Sequence, residues 1–165
     1  MRTQRTQEFL DEQEARYVII SHSPAYTAQE IAASAHIPGK DMVKVVVVSI
    51  DQRMALAAVP ATCDVDVEQL RVVAGAKEVS VATEGEFAAS FPGCALGAMP
   101  PIGLLFGMET YMDHALAKEQ YIAFNAGTHC DVIAMKFNDY RRISHPKLVH
   151  IAMPARGASM ISVQI

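Results

Sequence analysis

Four consecutive valines, Val45 to Val48, stand behind a single lysine in the stretch MVKVVVVSID. A run of this length without polar alternation describes a strand covered on both faces. Side chains alternate along a strand, so Lys44, Val46 and Val48 share one face and Val43, Val45 and Val47 the other. MALAAVPA forms a second strand at hairpin distance, across Asp51-Gln52-Arg53. Elsewhere the pattern is more broken. RTQEFLDEQEAR, with Phe9, Leu10 and Ala15 as its apolar set, predicts a short amphipathic helix, and YVIISH a strand. TAQEIAASAHI predicts a helix opened by Thr27 with Glu30 three residues on, a capping-box spacing, and stopped at PGKD. DVDVEQLRVVAG predicts a helix starting at Asp64 or Asp66 and ending at Gly75. EVSVA reads as a short strand, and TEGEFAASF repeats the capping spacing from Thr83 to Glu86. ETYMDHAL, QYIAFNAG, CDVIAMKF and the terminal SMISVQI are strand-like. FNDYRRIS predicts a last helix with Asn138 as its cap. Strands dominate and helices enter irregularly, which excludes strict βαβ alternation and predicts an α+β fold, a mixed, curled sheet with flanking helices.

Composition narrows this picture. The 165 residues, half of them hydrophobic, suit one domain spanning 1–165 with a core that needs neither metal nor disulfide. A formal net charge of -4 gives no general attraction to nucleic acid or membrane, so a polyanion would need a local basic patch. Cys63, Cys94 and Cys130 form no CxxC or Cys/His metal spacing and read as reduced thiols. No apolar segment has signal-peptide or membrane-spanning character, which predicts a soluble, cytoplasmic protein with no membrane partner.

Four stretches carry candidate chemistry. Lys44 either snorkels from the mouth of its strand or aims its ammonium into a pocket, toward a phosphate, carboxylate or developing oxyanion. LGAMPPIG, with Gly97, Gly103, Pro100 and Pro101, is a stiff turning loop that either serves structure alone or presents backbone groups to a small ligand. It is neither GxGxxG nor a P-loop. FNAGTHCD places Asn125, Gly127, Thr128 and His129 between two apolar strands, as a hairpin turn or a pocket rim. Cys130 beside His129 suggests a nucleophile and base, but neighbours on a strand face opposite ways. His22, in the turn SHSPAYTA, fits either surface or a pocket edge. His36, His114, His145 and His150 have no metal-ligand spacing, so no metal is expected. Lys136, Arg141, Arg142 and Lys147, against a lone Asp139, make the best basic patch, either a solvated face or a contact for phosphates.

Taken in order, HSPAYTAQEIAASAHIPGKDMVKVVVV, LGAMPPIG and FNAGTHCDVIAMKFNDYRRI resemble the YbaK/EbsC family, free-standing relatives of the editing insertion of bacterial prolyl-tRNA synthetase. The resemblance covers about residues 15–152. It implies a barrel-like mixed sheet and hydrolysis in trans of mischarged aminoacyl-tRNA, typically Cys or Ala on tRNA for proline, without a cofactor. The family's strand lysine matches Lys44. Its GxxxP loop matches Gly97 to Pro101, and its glycine-histidine pair matches Gly127 and His129. On this reading Lys44, Gly97 and His129 are catalytic. His22, Tyr26, Thr27, Pro100, Pro101, Gly103, Asn125, Gly127 and Thr128 bind the substrate, and Lys136, Arg141 and Arg142 bind tRNA, either free or on a synthetase. Many relatives have Ser where Met99-Pro100 stands, a departure that bears on amino-acid specificity. Deacylation attacks an activated ester, so the lack of a triad or metal motif is consistent with it. A module that holds aminoacyl-tRNA or a small amino-acid-like ligand without turnover is the alternative, and a cysteine hydrolase using Cys130 a third reading.

Overall fold

The computed structural model describes residues 2–155 apart from Pro24 and Tyr26. In chain order the elements are α1 (Arg2–Glu12), β1 (Tyr17–Ser21), α2 (Ala28–Ser34), β2 (Val43–Ile50), β3 (Arg53–Pro60), β4 (Cys63–Val65), α3 (Val67–Ala74), β5 (Val79–Val81) and α4 (Glu84–Phe87). After a long loop follow β6 (Thr110–Asp113), α5 (His114–Ala117), β7 (Tyr121–Asn125), β8 (Asp131–Lys136), α6 (Phe137–Ser144), β9 (Lys147–Val149) and β10 (Ala152–Pro154). Single 3-10 turns occupy Ala88–Ser90 and Gly103–Phe106.

The β2–β3 hairpin is the spine. Its two-residue turn puts Asp51 and Gln52 at φ 47° and 70°, where a type I′ turn usually takes glycine. The Asp51 carboxylate offsets that strain by accepting the backbone N–H groups of Lys77 and Glu78, each at 2.9 Å. This also fixes the entry to β5. The sheet runs β5-β2-β3-β6-β9, antiparallel across β5, β2 and β3 and parallel across β3, β6 and β9. It is therefore mixed, as the irregular order of helices and strands predicts. A second, antiparallel sheet runs β1-β8-β7, and β4 pairs with β10. One parallel bridge, Met42 to Ala123, joins the two larger sheets, reinforced by the Ala123 N–H on Asp41 O at 2.9 Å.

Both faces of β2 are covered, as its valines require. Val43 and Val45 join Ile122, Phe124, Ile133 and the α6 residues Phe137 and Tyr140 in one core cluster. Val46 and Val48 pack with Ala57, Val59 and Leu70 of α3. Helix α2 lays Ile31 and Ala32 over Ala123 and Val132 of the second sheet.

The predicted caps mostly stand. Thr27 accepts the Glu30 N–H, Thr83 and Glu86 form a full capping box, and Gly75 ends α3 in the left-handed conformation. Two helix starts differ. Asp66 alone caps α3, because Cys63 to Val65 are captured as a strand by β10. Asn138 is not the cap of α6: β8 runs directly into the helix, Lys136 holds the cap position without a side-chain bond, and Asn138 lies in the first turn. ETYMDHAL is strand only to Asp113, whose carboxylate caps α5. The terminal SMISVQI strand falls outside the described residues.

Beside the inter-sheet bridge, burial and then a hydrogen bond with Glu119 push the Asp41 carboxyl above its ordinary range. A raised carboxyl binds protons more readily folded than unfolded, so its ionisation costs stability as pH rises through the carboxylate range. Asp41→Asn should therefore raise Tm at neutral pH, with the gain shrinking toward about pH 4. Thermal melts at both pH values check this; equal shifts at both would locate the effect elsewhere.

Candidate functional site

A cleft of about 390 Å³ opens beside the inter-sheet bridge. Its wall is Thr27, Ala28 and Gln29 from the start of α2, Lys44 and Val45 of β2, Ala61, Gly97 and Asn125. The bridge sets this arrangement. Met42 is held to Ala123, so two residues further along each strand Lys44 and Asn125 face a common space, and no ladder continues between the strands to fill it.

The lysine is paired. Its Nζ lies 2.6 Å from Asp64 Oδ1 and 3.2 Å from Cys63 O, both on β4. The Lys44 and Asp64 side chains are 31 % and 34 % exposed. Lys44 thus stands on the cleft wall with its ammonium bonded, not left to solvent as the snorkel reading has it. Asp64 escapes sequence reading because a three-residue strand leaves no periodicity, so it is taken into the following helix.

The Gly97 loop is laced to the β7–β8 turn. Ala95 N–H donates to Gly127 O and Gly127 N–H to Ala98 O, both at 2.9 Å. The His129 Nε2–H donates to Leu96 O at 3.0 Å, and its ring lies under Gly97, 3.6 Å from where a Cβ would stand. Gly97 needs to be glycine for its φ of 85° more than for space. Its N–H points at the Met99 thioether, a weak acceptor, at 3.2 Å. Asn125 is only 6 % exposed. Its Nδ2 reaches toward Gly97 O at 3.5 Å, and its Oδ1 has no partner among the described residues.

The structure thus brings Lys44, Gly97, Thr27 and Asn125 to one wall, with Gly127 and His129 clamping the loop behind it. Thr128 closes the turn, its hydroxyl donating to Asp131 Oδ2 and accepting the Asp131 N–H. His22 bonds Ser23 O through Nδ1 and is not on the cleft wall. Pro100, Pro101 and Gly103 are buried behind the loop rather than on its wall. Pro101 O accepts the Tyr140 hydroxyl, and the Gly103 N–H bonds Thr110 Oγ1 at 2.9 Å. Tyr26 lies outside the described residues. Gln29 and Ala61 were not expected; Gln29 Nε2 bonds Ala61 O at 3.1 Å. The His129 Nε2 is spent on Leu96 O, and no bond between the Cys130 thiol and His129 stands among the described hydrogen bonds.

Lys136, Arg141 and Arg142 are exposed. Lys136 pairs across the strands with Tyr121, at the end of β7 opposite Asn125, about 13 Å away at strand rise. It lines a separate groove of about 650 Å³ with Arg16 and Tyr121, balanced by Glu14 and Asp139. This groove is larger than the cleft and also lined by polar side chains, but neither the Gly97 loop nor Lys44 reaches it. Arg142 donates to Gln13 O and so also anchors the end of α1. Among the described residues no group of three His, Cys, Asp or Glu could hold a metal, and no helix is long and apolar enough to cross a membrane.

The α+β fold that carries this cleft belongs to a class with solved members. One is a hypothetical protein whose crystal structure superposes at TM-score 0.81 with 15% identity, over 90% of this chain and 99% of its own. Another, proposed to be a trans-editing enzyme for prolyl-tRNA synthetase, superposes at 0.78 with 19% identity, over 92% and 96%. At these identities the likeness is one of fold. The sequence goes further: the profile of the aminoacyl-tRNA editing domain matches residues 22–143, and the chain belongs to that family. Among curated relatives, the multifunctional Ser/Thr-tRNA deacylase ProXp-y of Escherichia coli strain K12 is 33% identical over 101 residues. That alignment covers 61% of this chain and 60% of the relative.

Proposed function

We propose that this protein hydrolyses the ester of mischarged aminoacyl-tRNA in trans, with the terminal adenosine and its aminoacyl group in the cleft. The convergence of Lys44, Gly97 and Asn125 on one wall carries this reading, and family membership supports it. The ester is already activated, so the protein has only to orient it and stabilise the charge that develops on its carbonyl oxygen. The Gly97 N–H can exchange a thioether for that oxygen at little cost. Lys44 offers an N–H to an oxygen of the ester or of the terminal nucleotide. His129 holds the loop, and with it the position of the Gly97 donor. The nucleophile is water, whose oxygen bonds the carbonyl carbon while the ribose oxygen leaves with a proton; the neighbouring ribose hydroxyl can orient that water.

Small walls at Ala28, Ala61 and Gly97 favour a small aminoacyl group. The buried Asn125 Oδ1 calls for a donor, which an α-amino group or a hydroxyl supplies. Thr27 and Gln29 add further polar groups to the same wall. This set, with the deacylase relative acting on Ser and Thr, favours Ser- or Thr-tRNA over Cys- or Ala-tRNA. Hydrogen-bonded hydroxyls discriminate far more strongly than a methylene, which is worth only about 1–3 kcal/mol. Single-turnover assays on Ser-, Thr-, Ala- and Cys-charged tRNA test the reading, with hydrolysis fastest for the hydroxyl-bearing pair. Binding to all four without turnover would instead establish a holding module.

The acceptor stem would extend from the cleft toward α6, bringing Lys136 and Arg141 to its phosphates. Charge reversal at both, Lys136→Glu with Arg141→Glu, should weaken tRNA capture and flatten its salt dependence, the slope falling by about one for each phosphate that is no longer neutralised. An unchanged salt slope would return these residues to solvent.

A further inference from the structure

Building on the deacylase reading, we propose that Asp64 is a positioning residue, which turns Lys44 from a mobile cation into a fixed single donor at the cleft wall. An ammonium has three N–H donors. Here one goes to Asp64 Oδ1 at 2.6 Å and a second to Cys63 O at 3.2 Å, leaving one for the cleft. A lysine on its own swings a point charge on a flexible four-carbon stem. Two anchors from adjacent residues of one strand fix its direction.

The anchors are themselves fixed. Strand β4 pairs with β10 residue by residue, Met153 opposite Asp64 and Pro154 opposite Cys63. Asp66, just beyond, donates its N–H to Ile151 O at 2.7 Å and caps α3. The donor is therefore held by a paired strand at one end and by β2, packed on both faces, at the other. Solvent reaches both side chains, so the pair contributes little to stability. Its value is geometric. A donor already aimed at a developing oxyanion needs no rearrangement when the charge appears, whereas a free ammonium must be ordered first. The carboxylate also offsets the lysine charge, so the cleft binds an oxygen by direction rather than any anion by attraction.

The test is kinetic, on the full chain with mischarged tRNA. Asp64→Asn and Asp64→Ala should each lower kcat about tenfold or more with KM changed by less than about twofold, the mark of an interaction expressed in the transition state. Asp64→Glu, which keeps the charge one methylene further out, should recover part of the loss. In nitrogen-15 lysine spectra of the free protein, the Lys44 ammonium, assigned by its loss in Lys44→Ala, should be exchange-protected in the wild type and lose that protection in Asp64→Ala. A tighter KM with undiminished kcat in Asp64→Asn would overturn the proposal and make Asp64 an anion that the substrate displaces. Wild-type kinetics in all three variants would overturn it too, leaving the deacylase reading intact. A wild type that hydrolyses no mischarged tRNA would overturn that reading, and the role of Asp64 with it.

Discussion

Lys44→Ala should lose at least about 100-fold in kcat/KM for deacylation, the scale of removing one preorganised donor from a developing oxyanion, while the protein stays folded. The backbone at this point is held from both sides: β2 pairs with β3 along its whole length, and its valines fill clusters on both faces. Truncating the side chain removes its bonds to Asp64 and Cys63 O, and the Lys44 and Asp64 side chains are each about one-third exposed, so the stability cost should stay within about 1 kcal/mol. Circular dichroism and thermal melts separate the two effects. Lys44→Arg should restore little, because a planar guanidinium cannot reproduce two anchors and one free N–H in the same space. Hydrolysis within about twofold of the wild type in Lys44→Ala would remove this residue from the mechanism.

The largest loss of stability should come from a single added methyl. A Cβ on Gly103 would sit 2.3 Å from Met108 O and 2.7 Å from Thr110 Oγ1. One of these is backbone and cannot turn aside. The same residue donates its N–H to Thr110 and starts the 3-10 turn behind the Gly97 loop. Gly103→Ala should therefore cost about 3 kcal/mol and lower Tm by about 10 °C. Activity should fall with it, as the Pro100–Pro101 segment loses its seat. Gly107→Ala makes the comparison: at φ 67° with nothing near the new Cβ, it meets backbone strain alone, about 1 kcal/mol. Equal melting of the two variants would show that the loop absorbs the clash.

Much of this was legible in the chain, for identifiable reasons. Uninterrupted valines can only be a strand covered twice, and Thr27, Thr83 and Gly75 mark helix ends through bonds made within a few residues. Three-residue strands are different. Strands β4, β9 and β10 exist because a distant partner captures them, so Asp64 looked like the start of a helix. The Asn138 start of α6 failed for a related reason: the strand before it leaves no turn to cap. At the site, the grouping of Lys44, Gly97 and the Gly127–His129 turn was implied by the resemblance of these stretches, in order, to the YbaK/EbsC family. Which of them face the cleft was not, because that depends on the Met42–Ala123 bridge. Pro100 and Pro101 are the converse case. They stiffen the loop as expected, yet they do so from behind it.

That bridge also decides where selectivity can be adjusted. The cleft is a gap between two sheets joined by the Met42–Ala123 bridge, so its aperture depends on the spacing of the sheets as well as on the size of the wall residues. Ala123 and Met42 sit at the contact, and Ile31, Ala32 and Val132 pack with them in the same cluster. Slightly larger or smaller side chains at these interior positions would widen or narrow the opening. The admitted aminoacyl group could thus be retuned from inside the protein, with every residue that touches it left unchanged.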